Sequence, residues 1–343
     1  MKATPWVVLF VAAAVGWFLT GRARAYALAH AILDRPNDRS SHDTPTPRGG
    51  GWGIVLPSLA AVIGVYLTGN LDGRAALGLG VGGVLVALVG WRDDRRGLSA
   101  TVRGVVHFAA AAWLVAWLGG FPSLDLGGKL VHLGPGGSLL AVLAVAWAIN
   151  FYNFMDGIDG VAGLEAIMVG VMGGLFLLGD GSEGLALVSL SIAGASAGFL
   201  VWNRPRAKIF MGDVGSGLLG FLFAGLALAG ERQGHTPALL WLLLLGVFFG
   251  DATITLLRRM VRGERWYRAH RSHAYQRLVQ AGWSHGRVDL AVQVVNIILS
   301  ILAFVGWVFR GALPLVLAIS VLILLLAYLI AGGGRGRSDS APE

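Results

Sequence analysis

The chain has 343 residues, 55% of them hydrophobic and only 13% charged, with a mean hydropathy of +0.69. A soluble enzyme is excluded, because such chains carry about a quarter charged residues, and so is a disordered chain. Without cysteine there can be no disulfide, zinc–thiolate site, iron–sulfur cluster or cysteine nucleophile; a net charge of +8 would point to nucleic acid only on a soluble surface.

Taken in chain order, apolar stretches near 5–20, 50–68, 75–91, 104–121, 136–153, 161–179, 185–202, 214–230, 236–254, 289–309 and 312–331 are long enough to cross a bilayer. They are apolar all round rather than on one stripe. Glycines such as Gly78, Gly80, Gly82, Gly83, Gly170, Gly173 and Gly174 suit close helix packing in lipid. No alternation of polar and apolar residues suggests a β-barrel. The expected fold class is all-α, a polytopic integral membrane protein with about eleven transmembrane helices. Residues 1–331 are expected to form one domain, with 332–343 a disordered cytoplasmic tail. The start mimics a signal peptide, with Lys2, an apolar run and Ala23-Arg24-Ala25. Its positive charge follows the apolar run instead of preceding it, so the segment is expected to stay as the first span.

Basic residues report orientation. Of the 27 Lys and Arg, 22 fall in alternate connections and the C-terminal tail. The N-terminus is therefore expected in the periplasm and the C-terminus in the cytoplasm. Cytoplasmic loops are expected near 21–49, 92–103, 154–160, 203–213 and 255–288, and together they would form the active site.

Acids in or beside spans cost free energy and are functional by default. Asp93, Asp94, Asp156, Asp159, Asp213 and Asp251 all sit at cytoplasmic span ends. No Lys or Arg occurs between Leu130 and Asn203, so Asp156 and Asp159 need a metal, a ligand or a basic loop from elsewhere. A solvated loop or a helix N-terminus is the alternative. Asp213, among small residues and after Arg204, Arg206 and Lys208, could hold magnesium beside a phosphate, or simply begin a helix. Asp93 and Asp94 repel each other, which suits a base, or they pair with Arg95 and Arg96. Thr44-Pro-Thr-Pro-Arg-Gly-Gly-Gly51 reads as a stiff connector leading to a glycine-rich anion site, with Arg48 inside it. His270 and His273 stand in an arginine-rich loop that suits a diphosphate, or an interfacial helix on anionic lipid.

The candidates gather on one side of the membrane. Ion-path acids would lie near the midplane instead, so a transporter is the weaker reading. Aspartates and arginines facing one compartment suit transfer between a phosphorylated donor and a membrane-borne acceptor.

Five segments carry a resemblance: Arg39-Ser-Ser-His-Asp-Thr-Pro-Thr-Pro-Arg-Gly-Gly-Gly51, Gly90-Trp-Arg-Asp-Asp94, Asn153-Phe-Met-Asp-Gly-Ile-Asp-Gly160, Phe210-Met-Gly-Asp-Val-Gly-Ser216 and His270-Arg-Ser-His273. In this order the chain resembles the polyprenyl-phosphate N-acetylhexosamine-1-phosphate transferases. The resemblance implies an inner-membrane enzyme moving a HexNAc-1-phosphate from a UDP-sugar to undecaprenyl phosphate, with Mg2+ (or Mn2+) and release of UMP. It implies Asp213 as the metal ligand and Asp93, Asp94, His270 and His273 as further catalytic residues. Arg48, Asn153, Asp156, Asp159, Phe210 and Arg271 would bind substrate, with Phe210 stacking on uracil. A homodimer in membrane lipid is implied as well; no nucleic acid is expected. Two departures matter. Arg271 and Ser272 separate two histidines where the peptidoglycan enzymes carry three in a row, which favours the branch that starts O-antigen or other surface glycans, as eleven spans do. Asp43 stands where many members have lysine.

Overall fold

The computed structural model describes residues 4–34, 44–234, 236–264 and 270–333. Arg39 to Asp43 of the first motif, residues 265–269 of the arginine-rich loop and residues 334–343 of the expected tail lie outside them.

The elements in order are α1 (Thr4–Ala29), β1 (Leu33–Asp34), β2 (Thr46–Pro47), α2 (Trp52–Leu67), α3 (Gly73–Arg96) and α4 (Ala100–Leu118). Next come β3 (Ser123–Asp125), β4 (Leu130–His132), α5 (Gly136–Met155), α6 (Val161–Gly179), α7 (Glu183–Asn203) and α8 (Asp213–Arg232). The chain closes with α9 (Ala238–Leu244), α10 (Gly246–Val261), α11 (Ala274–Gln280), α12 (His285–Val308) and α13 (Leu313–Tyr328). Among the described residues, strands are confined to two short antiparallel ribbons, β1–β2 and β3–β4. The protein is thus an all-α, multi-pass membrane protein.

Each expected apolar stretch coincides with a helix or helix pair. Among the described residues, nine helices are long and apolar enough to cross a membrane. The stretch near 236–254 is instead two helices, α9 and α10, bent by 80° at their junction. The stretch near 50–68 yields α2, whose 16 residues measure about 24 Å at 1.5 Å per residue, short of the hydrocarbon thickness. Just before its first turn Gly50 and Gly51 donate their N–H groups to the Phe210 and Met211 carbonyls.

Two helices form the centre. The apolar windows of α7 and α8 are 83% and 89% buried, against 22% for α1. Small residues permit this. A Cβ at Gly220 of α8 would overlap the Ala148 carbonyl of α5, and one at Gly198 of α7 would overlap the Ala13 carbonyl of α1. Without a hydrophobic drive between helices in lipid, such close backbone approach supplies the packing. Helix α1 runs unbroken through Ala23–Ala25.

Gly220→Val should push α5 and α8 apart and lower stability by about 1–3 kcal/mol, as overpacking does. Thermal unfolding in detergent checks it. Gly64→Ala, where nothing lies within 4 Å of an added Cβ, should leave the midpoint unchanged or raise it.

Candidate active site

The site is assembled at the N-terminus of α8. Residues 47–51 run beside 210–211: Phe210 N–H donates to the Pro47 carbonyl (2.8 Å), Gly50 to Phe210 (2.8 Å) and Gly51 to Met211 (2.9 Å). The glycine-rich motif and the Phe-Met-Gly-Asp motif therefore form one backbone seam. Gly51 and Gly215 face each other so closely that a Cβ on Gly51 would sit 2.5 Å from the Gly215 Cα.

From this seam Arg48 spreads its fork. Its Nε lies 2.9 Å from Asp94 Oδ1 and one terminal nitrogen 2.7 Å from Asp213 Oδ1. Arg103, in the first turn of α4, makes the matching bridge, 2.7 Å to Asp93 Oδ2 and 3.2 Å to Asp213 Oδ2. Asp213 is thus held between two arginines. Asn153 at the end of α5 donates to Ser216 Oγ (2.9 Å), which puts its amide beside the same turn. Burial works against the charge on Arg48, but Asp94 and Asp213, then Asp34 and Asp156, more than compensate and hold its pKa above the usual arginine value. Burial pushes the Asp156 carboxyl well up, reinforced by Asp213, Asp94 and Asp159 and opposed by Arg48.

The six expected acids divide into two groups. Three serve as caps on other segments, each accepting two consecutive backbone N–H groups. Asp94 takes those of Asp213 (2.8 Å) and Val214 (3.1 Å), capping α8 from α3. Asp159 takes those of Arg206 (3.0 Å) and Ala207 (3.1 Å) and lies 3.3 Å from His285 Nδ1. Asp251 takes those of Ala274 (2.8 Å) and Tyr275 (3.2 Å), with His273 Nδ1 at 3.5 Å. Burial alone would raise Asp159, but the His285 contact and the Ala207 and Arg206 N–H groups hold it below the usual range. The other three, Asp93, Asp156 and Asp213, cap no second segment in this way; Asp93 pairs with Arg103, Asp213 with both arginines, and Asp156 interacts with Arg48 through its charge. The Asp94 side chain is 3% exposed and that of Asp213 14%, so Asp94 is sealed while Asp213 retains access. Gly212 is required here: its φ of +79° and the approach of Asp94 Oδ2, 2.5 Å from an added Cβ, leave no room for a side chain.

The last loop docks on the same floor. Tyr275 Oη donates to the Phe154 carbonyl (3.0 Å), and a Cβ at Gly157 would overlap that hydroxyl. The Asp156 charge acts on both Arg48 and Tyr275. His273 is buried against Asp251, with the His270 ring 4.9 Å away. His270 accepts from or donates to Ser272 Oγ at 2.8 Å and remains half-exposed. Burial, then the charges of His273 and Arg259, push its pKa down to about 3, so its ring is neutral near pH 7. Phe210 joins Arg48 in a β-bridge, and the Arg271 carbonyl accepts from Gln280 (2.8 Å).

Sequence reasoning missed Arg103 and the structural partners Asn203, Tyr275 and His285. Arg103 had a signal, as the basic residue in the first turn of an otherwise apolar helix following an aspartate pair. Glu165 was also missed. It is buried in α6 with Asn296 Nδ2 2.5 Å from its Oε2.

This fold and site define a polytopic membrane protein with carboxylates and guanidinium groups converging at one end of its bundle, an arrangement suited to phosphate chemistry. The model of glycosyl transferase family 4 matches residues 76–231. The chain is 33% identical over 317 residues to the decaprenyl-phosphate N-acetylglucosaminephosphotransferase of Mycobacterium tuberculosis (strain CDC 1551 / Oshkosh), covering 83% of this chain and 78% of the relative. It is 29% identical over 292 residues to the probable undecaprenyl-phosphate N-acetylglucosaminyl 1-phosphate transferase of Bacillus subtilis (strain 168), covering 84% and 80%. It is 30% identical over 328 residues to the undecaprenyl-phosphate alpha-N-acetylglucosaminyl 1-phosphate transferase of Salmonella typhi, covering 90% and 85%. The chain belongs to glycosyl transferase family 4.

The two aspartates of Asp93-Asp94 should separate on mutation. Asp94→Asn should lower stability by about 1–2 kcal/mol through the damaged cap, read by thermal unfolding in detergent. Asp93→Asn keeps an oxygen for the Leu98 N–H and should lower the unfolding midpoint less than Asp94→Asn while lowering turnover.

Proposed function

We propose that the protein moves N-acetylhexosamine 1-phosphate from its UDP-sugar to undecaprenyl phosphate and releases UMP, at the cytoplasmic face of the bacterial inner membrane. The observation that carries this is Asp213 held between Arg48 and Arg103 at the N-terminus of a buried helix, in a chain of this family. The relatives' names favour N-acetylglucosamine as the sugar, and a route to O-antigen or another surface glycan follows from the two separated histidines. The distribution of 22 of 27 basic residues supports the cytoplasmic placement, with the N-terminus outside. A homodimer is our expectation for assembly.

In the reaction an oxygen of the lipid phosphate bonds to the β-phosphorus of the donor. The bond from that phosphorus to the bridging oxygen breaks, and its electron pair leaves with UMP. The acceptor is already a competent nucleophile: the second ionisation of a phosphate monoester lies near about 6, so at pH 7 it is mostly dianionic. Asp93 therefore has little work as a base and serves chiefly to orient Arg103, taking a proton only from the monoanion. Arg48 and Arg103 exchange part of their carboxylate contacts for phosphate oxygens, matching charge as the bridging oxygen leaves. Since the attacking oxygen comes from the acceptor itself, no enzyme nucleophile is needed, and we favour one displacement.

The donor set also fits magnesium. Hard carboxylate oxygens of Asp213 and Asp93 converge, although among the described residues no three His, Asp or Glu form a ready metal cage. Magnesium needs none, since it binds through one or two carboxylates and completes its shell with substrate phosphates and water. Asp213, with Asp93 beside it, would hold the ion. When bound, magnesium would neutralise diphosphate charge.

Purified protein given undecaprenyl phosphate, magnesium and a panel of UDP-N-acetylhexosamines should release UMP, most rapidly with one donor. Chelation should abolish release, and Asp213→Asn should cut turnover by about 10²–10³-fold. No UMP from any donor would refute the transferase reading. Stereochemistry at a chirally labelled β-phosphorus tests the single displacement, which predicts inversion; retention would overturn it.

A further inference from the structure

Glu165 has no part in the chemistry above. It lies in the second turn of α6 and, alone among the acids of the described residues, has no exposed surface. One carboxyl oxygen, Oε2, accepts from Asn296 Nδ2 of α12 at 2.5 Å. The other, Oε1, has no hydrogen-bond partner, and neither has Asn296 Oδ1, on a residue equally buried. The pair thus makes one hydrogen bond and is left with two buried acceptors that receive nothing. Burying an acceptor without its hydrogen bond is costly, so two on one pair call for a physical account.

No cation answers the charge. Among the helices packed on α6, α5, α7 and α9 carry no Lys, Arg or His. Helix α8 has Arg232 only in its last turn, and its acids, Asp213 and Glu231, lie at its two ends. On α12 the basic side chains are His285 and Arg287 in the first turn; Arg287 precedes Asn296 by nine residues, about 14 Å along the helix. The remaining ionisable groups on these helices are Tyr152 of α5, whose hydroxyl donates to the Ala162 carbonyl at 2.8 Å, Glu183 at the start of α7, and Asp289 of α12. An ionised carboxyl without a counter-charge inside an apolar bundle is strongly disfavoured, and such a group takes up a proton instead.

One proton accounts for both unpartnered oxygens. An ionised carboxyl only accepts, whereas a neutral one carries an O–H donor. A carboxylic acid and a primary amide then pair through two bonds, amide N–H to acid oxygen and acid O–H to amide oxygen. The first of these is present between Asn296 and Glu165. The second needs only a proton on Oε1, donated to Asn296 Oδ1.

The pair stands at one end of a polar stripe on α12. His285, Asp289, Gln293, Asn296 and Ser300 follow one another at steps of four, four, three and four, which keeps them on one face of the helix. At the other end of this stripe His285 Nδ1 lies 3.3 Å from the Asp159 amide nitrogen and 3.3 Å from its Oδ2. A Cβ on Gly160, whose φ is +89°, would sit 2.7 Å from Asp289 Oδ2. Helices α6 and α12 run in the same direction, since Gly160 meets Asp289 at one end and Gly179 meets Trp307 at the other. The stripe therefore touches residues 159–160 just before α6 begins and Glu165 just after. Sliding α12 against α6 would move the turn that carries Asp156 and Asp159.

We propose that Glu165 is a neutral carboxylic acid paired with Asn296 by two hydrogen bonds, and that the pair is a positioning element for the Asp156–Asp159 turn, acting through the register of α12 on α6. The protonation state stands on its own; the effect on donor binding rests on the transferase reading above.

Infrared difference spectra of the protein in detergent test the first part. At pH 7 the wild type should show the carbonyl stretch of a protonated carboxylic acid, and Glu165→Gln should lack it. No such difference, or a wild-type unfolding midpoint that rises with Na+ or K+ while that of Glu165→Gln does not, would overturn the neutral pair, the latter in favour of a bound cation. Glutamine can make both hydrogen bonds, so Glu165→Gln should keep the wild-type midpoint, whereas Glu165→Leu and Asn296→Leu should each lower it. A midpoint for Glu165→Gln as low as for Glu165→Leu would also refute the pair. Kinetics test the positioning. Glu165→Leu should raise the KM for the UDP-sugar by about threefold to tenfold, the effect of losing interhelical hydrogen bonding in a membrane. The KM for undecaprenyl phosphate should stay unchanged, and Glu165→Gln should restore the donor KM. A pair that only stabilises the fold would lower the active fraction, and so kcat, with both KM values unmoved; that result would reject the positioning role. If no donor yields UMP, the transferase reading fails, while the infrared band and the unfolding midpoints still decide the pair.

Discussion

The bridge that Arg48 makes between Asp94 and Asp213 ties together three stretches that are far apart in the chain. A buried ion pair of this kind contributes little net stability, because desolvating the charges offsets their attraction. Its effect is on geometry. Arg48 can reach both acids only if residues 47–51 lie against 210–211, if α3 ends beside the start of α8, and if Gly212 turns with a positive φ. Removing Arg48 would leave the buried Asp94 and Asp213 charges uncompensated, which costs about 3–5 kcal/mol, whereas loss of one acid leaves Arg48 the other. The bridge therefore fixes the geometry of the candidate site.

Around this bridge the same device recurs. Asp94, Asp159 and Asp251 each bind a pair of consecutive N–H groups on a different segment, and the latter two also meet a histidine. Loops at the end of a membrane bundle have little apolar surface of their own to bury. Charge-assisted hydrogen bonds, about twice as strong as neutral ones, position them instead. Asp93 and Asp213 are left to pair with the arginines, which Asp94 also meets through Arg48. Carboxylates that look alike in the sequence thus hold loops in one case and pair with arginines in the other.

Much of this was legible beforehand. The bundle was readable because a span must be apolar over its whole length, a signal that needs no partner. The six acids stood out because so few charges exist in the chain. Roles among them were not readable: Asp93 and Asp94 are neighbours, yet one turns to Arg103 and the other to the backbone of α8. A helix advances 100° per residue, so adjacent side chains face different partners, and which partners those are depends on how α3, α4 and α8 pack. Arg103 was counted only as a topology signal, since its ligands lie ten and 110 positions away. The shortness of α2 and the 80° bend between α9 and α10 were also hidden, because hydropathy averages over a window and does not register a break in direction.

By itself the sequence determined a many-helix membrane protein, the asymmetry of its basic residues and the motifs of its family, all of which are local properties of composition and order. Only the tertiary structure decided which aspartates cap a second segment and that Arg48 and Arg103 share Asp213. Those outcomes depend on distances between segments more than a hundred residues apart, and such distances are set by close helix packing at small residues, which the linear order of the chain does not record.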